Sequence, residues 1–216
     1  MLYTSLFGES STLLSSERSH WNSAVGSEID EENWDRIHLY IHKGSLNVSI
    51  QENGYKLKTR WYKTPDLLHK FSPSVSDQCW RCGKERGTFL HIWWECPTLQ
   101  PFWHKVHDVT KMVSSLPLEF CPAQYLLHFS KISKGGYFKS VAMHMINAAR
   151  MCIPVHWRST SPPSMAEWAS RINRVAEMEE LIYTASDNIS KFTAIWNTWT
   201  TFKNSQSYKD LLNNAD

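Results

Sequence analysis

The run Cys79-Trp-Arg-Cys82-Gly-Lys-Glu-Arg-Gly-Thr-Phe-Leu-His91-Ile-Trp-Trp-Glu-Cys96 restricts the fold more than any other stretch of the chain. Two cysteines separated by two residues, then eight residues to a histidine and four to a third cysteine, is zinc-ligand spacing. Zinc takes soft thiolates and imidazole in a tetrahedron, and a Cys-x-x-Cys turn lets one loop supply two corners. Gly83 suits the tight turn that keeps both sulfurs on one ion. Three thiolates, an imidazole and Zn²⁺ leave about one negative charge, which Arg81, Lys84 and Arg86 lie near enough to offset. Cys79, Cys82, His91 and Cys96 would fill all four positions, so the expected role is structural. The alternatives are merely buried cysteines, or a Cys79–Cys82 redox pair that leaves Cys96 without a role. Cys121 and Cys152 sit alone in apolar surroundings and read as core residues.

A chain of 216 residues can bury a real core, and a net charge of +2 points to no particular partner. Eleven tryptophans supply a large apolar area for burial or stacking, and eight glycines with few alternating Val/Ile runs argue against an all-β fold. No stretch reaches the length of a membrane span, and residues 1–7 are too short and uncharged for a secretory signal. Free thiols at zinc spacing favour a reducing compartment, cytoplasm or nucleus.

The expected class is mainly α, with a small zinc-knuckle-like Cys/His insert. Residues 1–32 are Ser-rich and end in an acidic cluster; they read as flexible, with Trp21 as an anchor. Residues 33–72 form a basic helical segment. Trp34, Ile37 and Ile41 share a helical face, Ser45 is a candidate cap for a second helix weakened by Gly54, and Pro65 suits the first turn of a third. Residues 73–100 carry the knuckle, residues 101–204 a C-terminal helical domain, and residues 205–216 a frayed tail. Within 101–204, Phe102, Val106, Val109 and Val113 keep a helical period, Gly135-Gly136 breaks the chain, and another helix runs from Tyr137 to about Ile153. Ser164 with Glu167 is a capping box for the helix through Trp168, Ile172 and Val175, and a last helix presents Trp196, Trp199 and Phe202.

Lys56, Lys58, Arg60, Lys63, Lys70, Arg81, Lys84 and Arg86 face few carboxylates between residues 56 and 86, with Trp61, Tyr62 and Trp80 interleaved. Cations with aromatics are what phosphate neutralisation and base stacking need, and a solvated helix face over a Trp/Tyr core is the rival account. There is no glycine-rich phosphate loop, no Gly-x-Ser-x-Gly elbow and no catalytic constellation; His104 and His107 read as surface or core residues.

Arg60-Trp-Tyr-Lys-Thr-Pro65, Cys79-Trp-Arg-Cys-Gly83, Gly87-Thr-Phe-Leu-His-Ile-Trp-Trp-Glu-Cys96 and Phe102-Trp103 stand in this order. They are followed by Ala148-Ala-Arg150, Pro163-Ser164, Met178-Glu179 and Phe192-x-x-x-Trp196. From about Trp21 to Phe202 the chain thereby resembles the region after the reverse-transcriptase domain of LINE-type (non-LTR) retrotransposon polyproteins. The resemblance implies a helical segment with a Cys/Cys/His/Cys motif on Cys79, Cys82, His91 and Cys96, implicated in RNA binding and particle assembly. The family's endonuclease and polymerase are not in these residues, so its enzymatic labels do not carry over, and the chain reads as a truncated copy or fragment.

The resulting expectation is a non-catalytic nucleic-acid-binding fragment, RNA ahead of DNA, with one structural zinc and no small-molecule substrate. Its contacts are expected at Lys56, Lys58, Arg60, Lys63, Lys70, Trp80, Arg81, Lys84 and Arg86, with one of Trp93 and Trp94 turned inward and the other outward. The rivals are a zinc-stapled module that docks a polymerase domain, and a decayed element without function.

Overall fold

A computed structural model describes residues 16–129 and 140–213. It is all-α: among the described residues the only β feature is an isolated antiparallel bridge between Gln78 and Arg86. Residues 16–25 are helical (α1). They are followed by α2 (Glu31–Lys43), α3 (Val48–Lys58) and α4 (Pro65–Phe71). The knuckle ends in a π-turn at His91–Glu95 and leads into α5 (Gln100–Ser114) and α6 (Pro122–Leu127). Then come α7 (Val141–Cys152), continued by a 3₁₀ turn at Ile153–His156, α8 (Met165–Ala185), α9 (Ile189–Lys203) and α10 (Gln206–Asn213).

Helix α7 is the axle. Every residue from Val141 to Arg150 is buried, and α3, α5, α8 and α9 all pack against it. A helix apolar on most of its surface belongs at the centre of a bundle, and Ala142, Ala148 and Ala149 let its neighbours approach closely. Its polar members have partners: Asn147 Oδ1 lies 2.9 Å from His128 Nε2, and Arg150 donates to the Leu126 carbonyl at 3.2 Å. Gly54 faces this axle. A Cβ there would stand 3.0 Å from the Arg150 guanidinium and 3.2 Å from Ile41, so the residue that weakens α3 locally is what lets it cross α2 and α7.

The tryptophans are mostly structural, and burying an indole without losing its N–H bond needs a specific acceptor. Trp168 donates to the Met145 carbonyl, Trp196 to Glu179, Trp199 to Asn173, Trp103 to the Trp93 carbonyl and Trp21 to the Lys58 carbonyl, at 2.8–3.0 Å. Ser164 and Glu167 form the capping box of α8, and Pro65 opens α4.

Three boundaries differ from expectation. Residues 16–25 are helical and Trp21 and Ile29 are fully buried, so the N-terminal segment joins the core at least from there, because Trp21 has the Lys58 carbonyl and the Phe89 ring to meet. Asn47 caps α3; Ser45 instead accepts the Asn47 N–H and points at Glu179. Residues 206–213 are helical because Tyr208 packs edge-on against Trp199 and Phe202. The Gly135-Gly136 break, Tyr137 and residues 1–15 and 214–216 lie outside the described residues.

Candidate metal centre and its basic surroundings

The first two ligands come from a turn made by the backbone. The Gly83 N–H donates to the Cys79 carbonyl at 2.8 Å, and the Cys79 N–H to the Glu85 carbonyl at 2.7 Å. Gly83 takes φ of +64°, a left-handed turn that costs other residues strain. In this turn the backbone N–H groups of Arg81 and Cys82 point at the Cys79 sulfur, and those of Lys84 and Glu85 at the Cys82 sulfur. Amide dipoles converging on a sulfur favour thiolate over thiol. Burial pushes Cys82 up, but those amides, with the His91 ring and the Cys79 thiol, bring it down to about 6. At Cys79 burial dominates and pushes the thiol up to about 11.

The other two ligands come from the π-turn, and here the structure adds something no spacing rule contained. The Cys96 N–H donates to the His91 carbonyl, a five-residue bond of 2.9 Å. In an ordinary α-helix, residues five apart point about 140° from one another. Widening one turn brings them towards the same side, and such bulges concentrate at functional sites.

All four ligand atoms lie within 4.8 Å of one another, with Cys79, His91 and Cys96 buried. Cys79 and Cys96 Sγ are 3.8 Å apart, and Cys82 Sγ is 3.4 Å from His91 Nε2. A tetrahedron with metal–sulfur legs of about 2.3 Å has edges of about 3.8 Å, so the donor set fits a metal ion of zinc's size. His91 Nδ1 lies 3.4 Å from Glu85 Oε2, a carboxylate placed where it would favour the tautomer that leaves Nε2 to bind. Arg81, between the first two ligands, is buried: Nη1 donates to the Ile92 carbonyl at 3.0 Å, while Nε and Nη2 have no hydrogen-bond partner among the described residues. An uncompensated buried cation is costly, and a net-negative thiolate–metal cluster is what would offset it. These observations establish a Cys₃His cluster able to hold a metal ion.

The basic residues divide sharply. Lys58 is 3% exposed, paired with Glu17 at 3.3 Å and held 4.8 Å over the Trp34 ring. Arg60 stacks on the protein's own Phe89 and Trp21, at 4.9 and 5.4 Å, and burial lowers its pKa. Lys56 is half-exposed and pairs with Glu52 at 2.6 Å. With the buried Arg81, these positions correct the expected surface: Lys58 and Arg81 point inward because each has a fixed partner there. Lys63, Lys70, Lys84 and Arg86 are exposed, Arg86 standing 3.6 Å from Asp77.

Trp93 and Trp94 are a second correction, since both are buried. The π-turn is covered on two sides: Trp93 meets Tyr62, Phe89 and Trp157, while Trp94 meets Trp103, Phe120 and Tyr125. Trp80 remains half-exposed, its ring 6.4 Å from Trp157 and 5.3 Å from the Arg158 guanidinium. Trp157 and Arg158 are site neighbours that the sequence reading missed. Trp157 donates to the Lys63 carbonyl at 2.9 Å across 94 residues, and its place after the Pro154 helix break was its only local signal.

Cys152 is buried and Cys121 half-buried, His104 is exposed and stacks on Phe120, and His107 meets the Tyr125 hydroxyl at 2.7 Å. Among the described residues no helix is long and apolar enough to cross a membrane. No known protein-family model matches the chain.

Proposed function

We propose that the chain is a non-catalytic RNA-binding module of the kind found after the polymerase in LINE-type retrotransposon proteins, organised by one structural zinc ion on Cys79, Cys82, His91 and Cys96. In this reading zinc pins the Cys79–Cys82 turn to the π-turn and offers no open position for chemistry. Single-stranded RNA runs across Lys63, Lys70, Lys84 and Arg86, with a base against Trp80 beside Arg158. Thiols that must stay reduced to bind the ion make the cytoplasm or nucleus part of this reading.

The observation that carries the reading is the Trp80 edge. A half-exposed indole, backed by Trp157 and flanked by Arg158, sits on the knuckle turn between Cys79 and Cys82. Stacking on such a ring contributes about 1–3 kcal/mol per base, and nearby cations supply the salt-dependent part.

The test is fluorescence-detected binding of a single-stranded RNA across a salt series, with zinc and after chelation. The expected result is salt-steep binding that falls on chelation, with the slope reduced by about 0.7 for each of Lys63, Lys70 and Lys84 replaced by alanine. Salt-flat or absent binding in both states overturns the reading. It would favour a docking module, for which Trp61 (63% exposed) and Phe71 (77% exposed) are the apolar anchors.

A further inference from the structure

A second concave site lies away from the knuckle, where the start of α3 and the faces of α7 and α8 meet. It is a cleft of about 360 Å³, near the low end of the range for small-molecule pockets, about 300–1,000 Å³. Ile50, Met151 and Val175 give it an apolar floor, and Arg171, Arg174 and Ser49 stand at its polar side. Among the described residues no carboxylate lines it.

Two guanidinium groups three residues apart share one face of α8. Like charges at that spacing repel. Neither arginine forms an ion pair among the described residues. Arg171 is half-buried, beside the Cys152 thiol and drawn to the Glu167 carboxylate; Arg174 is exposed and has no such neighbours. The positive end of α3 opens on the same cleft, although the Asn47 side chain already accepts its Ser49 and Ile50 N–H groups. The backbone therefore adds field and the arginines supply the donors. Paired guanidiniums match an oxyanion bidentately, which distinguishes phosphate recognition from attraction to a point charge. Beside them, the flexible Met151 thioether and the branched Ile50 and Val175 make a floor that suits a flat ring.

We propose that this cleft binds a nucleotide phosphate monoester, with the phosphate between Arg171 and Arg174 and the heterocycle on Ile50, Met151 and Val175. The site depends neither on the metal centre nor on the RNA reading. The same chemistry reaches it from two sources, a free mononucleotide or the phosphorylated end of a strand.

The experiment is calorimetric titration of the full chain with adenosine monophosphate, adenosine and inorganic phosphate, and with a trinucleotide carrying or lacking a 5′-phosphate. Adenosine monophosphate is expected to bind at least about ten-fold more tightly than either adenosine or phosphate alone, since both halves of the cleft must be filled. Arg174→Gln, at an exposed and unanchored position, and separately Arg171→Gln, should each weaken it by about ten-fold or more. Circular dichroism confirms that the variants fold, and Cys79→Ser should leave this binding unchanged. Binding of the 5′-phosphorylated trinucleotide alone would keep the chemistry and assign the source to a strand end. Equal affinity for adenosine and its monophosphate, no loss in Arg174→Gln, or no binding by any phosphorylated probe overturns the proposal.

Discussion

The knuckle and the α7–α9 bundle are adjacent in one fold, yet they are held together by different physics. Residues 72–88 contain almost no regular structure; a single isolated bridge, five backbone hydrogen bonds within the segment and the convergence on four ligand atoms define their shape. Around α7, by contrast, Trp168, Trp196 and Trp199 are buried with their indole N–H groups satisfied. A region without an apolar core of its own depends on a cross-link, while a region dense in buried rings depends on packing. One should therefore be sensitive to ligand chemistry and the other to volume.

The largest expected effect falls on the knuckle. Cys79→Ser should abolish tight zinc binding, lowering affinity by more than about a hundred-fold, since even partners behind metal ligands contribute about 10–100-fold. Zinc content by mass spectrometry and hydrogen exchange over residues 75–100 read this directly. Retained zinc would refute the ligand assignment, and loss of protection in α7–α9 would erase the contrast between the regions.

Next is Trp168→Ala in the bundle, expected to cost about 3–5 kcal/mol in denaturant unfolding while zinc content stays unchanged. A cost below about 1 kcal/mol would mean that the bundle is not held by ring packing.

Acid distinguishes the regions a third way. Burial lowers the pKa of His144 and, more strongly, of His128, both from an ordinary 6.5. A depressed native pKa contributes stability fully present above the unfolded value and lost as pH falls towards the native one. The bundle should therefore weaken below about pH 6.5, by up to roughly 1.4 kcal/mol per pH unit for each group. Thermal melts of the wild type and of His128→Gln measure it; an identical pH slope in both would remove His128 from the account.

The smallest effect sharpens the comparison. Ser164→Ala removes the side chain that accepts the Glu167 N–H at 3.1 Å, and should cost about 1 kcal/mol in denaturant unfolding without moving zinc content.

The Cys₃His cluster was legible in the sequence because few residue types bind a soft ion, and the spacing of such residues is set by the turn that presents them. Helices α2, α5, α8 and α9 were legible from the period of Trp34, Val106, Ile172 and Trp196, since a buried stripe must recur with the helix turn. The Ser164–Glu167 cap needed only residues three apart.

The partners of the charged and aromatic side chains were decided elsewhere. Lys58 turns inward because Glu17 and Trp34 wait there, and Trp94 is covered because α6 delivers Tyr125. Arg158 reaches the knuckle because a bond from Trp157 to Lys63 closes 94 residues of chain. The cleft with Arg171 and Arg174 exists only where α3, α7 and α8 converge. Ligand type, helical period and caps act over a few residues, so the sequence by itself determined them. Which face of a cation or an indole is covered depends on residues dozens of positions away, and only the tertiary packing decided that.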